Sequence, residues 1–165
     1  MEKYLTHLSV SDDLCVELKK EFYANSNLAK KFTAGEKTLE ILEVIRNNDM
    51  SNCNIANAIA IKLSKIINCE ARARYYIQKA NTQLIPHRDY GTITAINIML
   101  EASSPIIWDE KFNIMYKCAL LNVQEVHSVK TDDTDRVFLK LSIFDKEYKE
   151  ILPLIKGKES EFLTL

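Results

Sequence analysis

Two histidines and an aspartate have the types and spacing of a metal site. His87 and Asp89 stand two residues apart at the end of the apolar segment TQLIPH, so both side chains can point the same way from an extended backbone. His127 follows forty residues later within the segment EVHSV. Two imidazoles and one carboxylate leave three positions of an octahedron open, which suits iron(II) that binds a 2-oxo acid and O₂. We therefore predict that His87, Asp89 and His127 hold one catalytic metal ion.

An arginine nine residues after His127 has the chemistry to bind an anionic ligand. Arg136 opens the segment RVFLKLSIF and is the only arginine after Arg88. A guanidinium forms paired hydrogen bonds with a carboxylate, which the point charge of a lysine does not reproduce. We therefore predict that Arg136 binds the far end of a dicarboxylate. Taken singly, each of these residues is more often structural, so the prediction depends on their order and spacing.

The hydrophobic period changes near Cys69, and the chain before that point has helical spacing. Ser11 is predicted to cap the first helix, and Ser51 or Asn52 the third, because a side-chain oxygen can accept from free backbone amides. Three helices are predicted between about residues 10 and 67 from three groups of apolar residues: Leu14, Leu18 and Phe22; Leu39, Leu42 and Ile45; and Ile55, Ile59, Leu63, Ile66 and Ile67.

From Ala71 onward, β-branched and aromatic residues dominate and the hydrophobic period shortens. Eight segments predict eight short strands: ARARYYIQ, TQLIPH, TITAINIML, PIIW, FNIMY, CALLNV, EVHSV and RVFLKLSIF. Helices followed by uninterrupted strands predict an α+β, mainly β chain with antiparallel sheets. We expect one domain over 1–165, with a helical support segment (1–70), a β core (71–145) and a C-terminal extension (146–165).

Composition narrows the functional classes. A net charge of −1 provides no basic field that would indicate a nucleic-acid partner. No window approaches the roughly 20 consecutive apolar residues of a membrane span, and the N-terminus lacks a signal-peptide pattern, so we expect a cytoplasmic protein without membrane contact. The four cysteines form no CxxC pair, and the three glycines stand too far apart to form a phosphate-binding loop.

The stretch from Ala71 to Asp145 resembles the 2-oxoglutarate- and iron(II)-dependent oxygenases. These enzymes have the double-stranded β-helix fold, a jelly-roll of the cupin-like type. Within them, the stretch resembles the branch of the aspartyl/asparaginyl β-hydroxylases and proline hydroxylases. The resemblance is carried by RYYIQKANTQLIPHRD and LLNVQEVHSVKTDDTDRVFLKLSIFD. It implies a double-stranded β-helix core, with the N-terminal helices packed on one sheet.

The resemblance also implies a role for each candidate site residue. The implied iron(II) ligands are His87, Asp89 and His127. Arg136 would bind the C5 carboxylate of the cosubstrate 2-oxoglutarate, Tyr76 would reach the same carboxylate, and Asn97 would contact the C1 end. With Asp89 as a carboxylate ligand, the implied ligand set resembles that of the proline hydroxylases. The aspartyl/asparaginyl β-hydroxylases proper lack this ligand. The basic residue that these enzymes often carry on the strand TITAINIML is replaced here by Ala95 or Ile96.

The activity that the resemblance implies is that of a dioxygenase. Such an enzyme would use iron(II), 2-oxoglutarate and O₂ to hydroxylate an amino acid or a peptide side chain, with release of succinate and CO₂. One alternative is a non-catalytic module of the same fold that binds a small ligand. Another is a metal-dependent isomerase or cupin-like enzyme, although cupins usually carry more histidines and a pair of glycine-rich motifs.

Overall fold

Strands separate an N-terminal pair of helices from a C-terminal pair in the computed structural model, which describes residues 3–34, 37–102 and 104–165. Within these ranges the elements are β1 (Leu5–His7), α1 (Asp12–Asn25), β2 (Lys30–Ala34), β3 (Lys37–Ile45), α2 (Asn54–Ile67), β4 (Ala71–Gln78), β5 (Gln83–His87), β6 (Thr94–Glu101), β7 (Ile106–Trp108), β8 (Phe112–Ile114), β9 (Cys118–Leu121), β10 (His127–Lys130), β11 (Arg136–Ile143), α3 (Tyr148–Ile155) and α4 (Glu159–Phe162). The eight strands predicted after Ala71 are confirmed as β4 to β11.

The strands form two antiparallel sheets. The large sheet has the order β1-β9-β6-β11-β4-β3-β2, and the small sheet has the order β5-β10-β7-β8. Side chains from both sheets meet in one buried cluster, so the sheets pack face to face. This arrangement is the predicted jelly-roll, or double-stranded β-helix.

Two apolar clusters lie on the two faces of the large sheet. The helix-side cluster includes Leu14, Leu18, Ile59, Leu63, Val137, Leu139, Leu141 and Ile143. The inter-sheet cluster includes Tyr76, Ala95, Trp108, Val129 and Phe138. Successive side chains of a strand point to opposite faces, so β11 serves both clusters, as its sequence alternation predicts. Arg136 and Lys140 are two residues from Phe138 on either side and therefore share its face.

The prediction of a helix through Leu39, Leu42 and Ile45 is wrong. These residues lie in β3, which pairs with β2 on one side and β4 on the other and so widens the large sheet. Leu39 is exposed while Leu42 and Ile45 are buried, so the three do not form one apolar helical stripe. A spacing of three residues over so short a segment does not distinguish the two periods, and β-branched residues such as Val44 favour the strand.

The two predicted helix caps have different outcomes. Ser11 caps α1 as predicted, since its Oγ accepts a hydrogen bond from the backbone nitrogen of Leu14 at 3.2 Å. The prediction that Ser51 or Asn52 opens the following helix is wrong. Cys53 precedes the first residue of α2 and makes no capping hydrogen bond through its side chain.

Glu21 of α1 satisfies the N-terminus of α2 instead. Its carboxylate accepts hydrogen bonds from the backbone nitrogens of Ile55 at 2.7 Å and Ala56 at 3.0 Å. The hydroxyl of Tyr75 on β4 donates to the same carboxylate at 2.7 Å. An anionic acceptor at a helix N-terminus also interacts favourably with the helix dipole. One carboxylate therefore fixes α1, α2 and the large sheet relative to one another.

The C-terminal extension forms α3 and α4, which pack against α2. Ile151, Ile155 and Phe162 are fully buried in the helix-side cluster. The extension thus completes the apolar cover on one face of the large sheet. In the described ranges, no helix combines the length and the apolar character needed to cross a membrane.

Candidate metal centre

Three neighbouring strands of the small sheet align three ring side chains. In the antiparallel register, His127 on β10 lies opposite His87 on β5 and also opposite Trp108 on β7. The two imidazole centroids are 4.5 Å apart, and the His127 ring is 5.1 Å from a ring of Trp108. Residues directly opposite each other in paired strands share a face of the sheet. Both imidazoles therefore lie on the side where Trp108 joins the inter-sheet cluster.

Asp89 reaches the imidazoles from the loop that follows β5. This loop is held by its backbone: the Asp89 nitrogen donates to the Val123 carbonyl at 3.0 Å, and the Gln124 side chain donates to the Asp89 carbonyl at 3.2 Å. Oδ1 of Asp89 lies 3.5 Å from Nε2 of His87 and 3.5 Å from Nε2 of His127. One ligand atom from each of the three residues lies within 4.8 Å of the other two.

Backbone carbonyls orient both imidazoles. Nδ1 of His87 lies 2.7 Å from the Ile85 carbonyl, and Nδ1 of His127 lies 2.9 Å from the Glu125 carbonyl. A carbonyl can only accept, so each Nδ1 carries the hydrogen and a neutral ring keeps its lone pair on Nε2. Two such lone pairs then converge on a carboxylate oxygen with no hydrogen between them. This donor set requires a cation, either a metal ion or a proton.

Lys140 lies on the other side of the Asp89 carboxylate. Its Nζ donates to Oδ2 of Asp89, and the two side chains are only 13% and 14% exposed. Burial acts to raise the pKa of Asp89, but Lys140 and the imidazoles of His127 and His87 outweigh it and hold that pKa well below its usual range. Burial acts to lower the pKa of Lys140, and Asp89 raises it above its ordinary value. The pair therefore stays charged at neutral pH.

The electrostatics also favour a proton on His87, the more accessible of the two imidazoles. The hydrogen bond that a protonated His87 would donate to Asp89 is the main cause that raises the pKa of His87 above its ordinary value. His87 is the more accessible ligand, with 35% of its side chain exposed against 8% for His127. The site thus attracts a positive charge from its open side.

Arg136 is a buried cation without a carboxylate partner among the described residues. It is 2% exposed, and its guanidinium lies over the ring of Phe138 at 4.2 Å. Nη2 donates to the hydroxyl of Tyr116 at 3.0 Å, while Nε is buried and has no hydrogen-bond partner within the described ranges. A buried charge is costly unless it is paired. An anionic ligand would meet this requirement.

Tyr116 connects Arg136 with Asn97. Its hydroxyl oxygen accepts from Arg136 and from Nδ2 of Asn97, the latter at 3.1 Å. Because two donors occupy this oxygen, the hydroxyl hydrogen is available to a further acceptor. Oδ1 of Asn97 is buried without a partner in the described part of the chain. The cluster of Arg136, Tyr116 and Asn97 therefore has unused donors and acceptors in the interior.

Tyr76 packs against Phe138 and lies near Lys140. Its ring stacks on Phe138, the ring under the Arg136 guanidinium, with centroids 5.3 Å apart. Nζ of Lys140 is 5.7 Å from the Tyr76 ring centroid. The structure thus places Tyr76 against Lys140 and against Phe138, the ring that Arg136 contacts. Tyr116 connects Asn97 with the arginine.

Sequence reasoning missed Lys140, Tyr116 and Trp108. The sequence could have predicted that Lys140 lies on the face of Arg136, because it stands four residues later and a strand returns to the same face every two residues. Tyr116 and Trp108 had none, since their positions depend on how the two sheets pack.

Neither any protein-family model nor any curated protein matches this sequence. Solved structures match over most of the chain. A prolyl-4-hydroxylase from Pseudomonas putida is 10% identical with a TM-score of 0.60, over 87% of this chain and 93% of that one. A prolyl hydroxylase from Trichoplax adhaerens, in complex with a peptide fragment of the hypoxia inducible factor oxygen degradation domain, is 10% identical with a TM-score of 0.63, over 90% and 85%.

A third similar structure is the viral collagen prolyl hydroxylase of Paramecium Bursaria Chlorella virus-1 in its 2-oxoglutarate complex. It is 11% identical with a TM-score of 0.52, over 85% of this chain and 95% of that one. At these identities the match is one of fold. The chain has the fold of the 2-oxoglutarate- and iron(II)-dependent oxygenases, as the resemblance in its sequence implies.

Proposed function

We propose that this protein is a 2-oxoglutarate- and iron(II)-dependent dioxygenase that hydroxylates an amino acid or a peptide side chain, with release of succinate and CO₂. The observation that carries the proposal is the placement of two complementary groups in one interior. His87, Asp89 and His127 converge as a cation-binding set, and Arg136 is buried without an anionic partner among the described residues.

The donor set fits iron(II). His87 and His127 would each bind through Nε2, because their Nδ1 atoms are engaged by backbone carbonyls, and Asp89 would bind through Oδ1. When bound, iron(II) would supply the O₂ chemistry that amino-acid side chains do not provide. The protein's own contribution is to orient these three ligands from β5, its following loop and β10.

The arginine cluster fits the distant carboxylate of 2-oxoglutarate. Arg136 would offer its unpaired Nε–H to the C5 carboxylate, and Tyr116 would donate its free hydroxyl hydrogen to the same group. Tyr76, stacked on Phe138, is proposed to reach this carboxylate, and Asn97 to contact the C1 end of the cosubstrate. Phe138 and Tyr76 would shield the charge pair from water, which strengthens it.

We propose that the amino acid or peptide approaches the ligands from the exposed side of His87. Ile85 and Tyr90 flank His87 and Asp89 in the sequence and are largely exposed apolar side chains, at 72% and 101%. They would offer an apolar surface beside the more open ligand, His87. The Trichoplax adhaerens hydroxylase of the same fold was solved with a bound peptide, which agrees with a peptide side chain as the acceptor of oxygen.

The single tryptophan provides a direct test of metal binding. Trp108 is the only tryptophan of the chain and lies 5.1 Å from His127, so iron(II) bound by the ligands should quench its fluorescence. We expect quenching that saturates during an anaerobic titration of the wild type. His127→Ala should abolish it, whereas His7→Ala should not, because His7 is an exposed residue of β1.

Addition of 2-oxoglutarate to the iron(II) protein tests the cosubstrate. A keto acid that chelates iron(II) gives a weak visible charge-transfer band, which we expect for the wild type and for His7→Ala. Succinate formation with a peptide or amino-acid acceptor would then establish turnover. Saturable quenching with no visible band would instead support the non-catalytic binding module, and no quenching at all would refute the metal site.

A further inference from the structure

The two oxygens of the Asp89 carboxylate face different partners. Oδ1 lies 3.5 Å from Nε2 of each imidazole, whereas Oδ2 accepts a hydrogen bond from Nζ of Lys140. A carboxylate can bind a metal ion through one oxygen or through both. Because Oδ1 faces the imidazoles and Oδ2 faces Lys140, the surroundings of Asp89 would decide whether it binds a metal ion through one oxygen or through both.

Lys140 is firmly held in this position. It lies on β11, in the middle of the large sheet, where its backbone pairs with Arg74 on β4 and Asn97 on β6. Within the described residues, Asp89 Oδ2 is the only acceptor in hydrogen-bond contact with its ammonium group. Moving the ammonium away from Asp89 would leave an unpaired buried charge, which is strongly destabilising.

We propose that Lys140 is a positioning residue that reserves Oδ2 of Asp89, so that this carboxylate gives a bound metal ion one oxygen only. The inference rests on the proposed function, because it specifies how Asp89 serves that metal site. Nζ and a metal ion would compete for the same lone pairs of Oδ2, and the ammonium is already in place. Oδ1 is then left to complete the set with His87 and His127.

The consequence concerns the number of positions left for other ligands. Two imidazoles and a one-oxygen carboxylate leave three of six octahedral positions open. A carboxylate bound through both oxygens would leave two, and a chelating 2-oxo acid would take both of them. Lys140 therefore preserves the position that O₂ would need.

Manganese(II) in the full-length protein provides the test. Broadening of its electron paramagnetic resonance signal in ¹⁷O-enriched water counts the exchangeable water ligands. We expect three waters in the wild type, two in Lys140→Met and three in Lys140→Arg, which keeps a charged donor. Lys130→Met is the matched control, because Lys130 is an exposed lysine on the strand of His127, and it should keep three.

The outcomes separate this inference from the proposed function. Three waters in a folded Lys140→Met, checked by circular dichroism, would overturn the role of Lys140 alone. Two waters in the wild type would also overturn it, and that result does not depend on whether the variant folds. A wild type that binds no manganese(II) would overturn the proposed metal site, and the role of Lys140 with it.

Discussion

The two faces of the large sheet differ in how completely their buried groups are satisfied. On the helix side, β11 contributes only apolar side chains to a cluster closed by α1 and α2. On the inter-sheet side, buried polar atoms without a hydrogen-bond partner in the described ranges include Gln78 Oε1, Asn97 Oδ1, Trp108 Nε1, Arg136 Nε and Ser142 Oγ.

This difference indicates that the helix side stabilises the fold and that the inter-sheet side binds a ligand. An unpaired buried polar atom costs about 1–3 kcal/mol, so folding alone gives no reason to keep several together. A ligand that supplies the missing partners does give one. We therefore expect substitutions on the helix side to change stability and substitutions on the inter-sheet side to change binding.

The largest effect on binding is expected from removal of a metal ligand. His127→Ala deletes the most buried imidazole. Loss of a residue that only hydrogen-bonds to a metal ligand typically lowers metal affinity roughly 10–100-fold. Loss of the ligand itself should therefore lower iron(II) affinity by more than this. Quenching of Trp108 fluorescence measures the affinity. The midpoint of urea unfolding of the metal-free protein should change little by comparison, and unchanged iron(II) affinity would contradict the division between the faces.

Arg136→Ala should weaken 2-oxoglutarate binding by roughly 2–5 kcal/mol, because a desolvated charge pair is lost. Arg136→Lys should weaken it less, since a positive charge remains without the planar pair of donors. Calorimetry with manganese(II) in place of iron(II) measures both affinities. Arg72→Ala is a suitable control, because this exposed arginine pairs with Glu70 on the surface. Equal affinity for the wild type and Arg136→Ala would remove the arginine from the site.

A truncation on the helix side should show the opposite behaviour. Leu141 is fully buried in the helix-side cluster, one residue from Lys140 on the same strand. Leu141→Ala should lower the free energy of unfolding by about 2–5 kcal/mol, because it removes apolar contacts and leaves a cavity. Urea denaturation measures this loss. If manganese(II) affinity fell as well in the folded variant, the two faces would not be independent.

A smaller loss of stability is expected at the helix junction. Glu21→Ala removes the acceptor for two amides of α2 and for the Tyr75 hydroxyl, and should cost about 1–3 kcal/mol. Ser11→Ala removes a single cap and should cost about 1 kcal/mol. Thermal unfolding compares the two variants. A loss at Ser11 that exceeds the loss at Glu21 would show that α2 does not depend on the carboxylate of α1.

The sequence by itself determined the elements whose pattern is local. Eight strands after Ala71 follow from residue type and period, and the alternation of β11 predicts which of its side chains share the face of Arg136. Residue type and spacing also selected His87, Asp89 and His127, which the structure brings together and whose role as ligands we propose. Short spacing alone could not distinguish a helix from a strand at residues 39–45, where pairing with β2 and β4 decided the outcome.

Only the tertiary structure decided which groups meet inside the jelly-roll. The opposition of His87 and His127 depends on the register of β5 and β10, and the contact of Lys140 with Asp89 joins residues 51 positions apart. The hydroxyl of Tyr116 accepts hydrogen bonds from Asn97 and Arg136 because the segment before β9 packs against β6 and β11. A local period reports which face a side chain takes, but not which distant side chain lies opposite, because that depends on strand order and sheet packing.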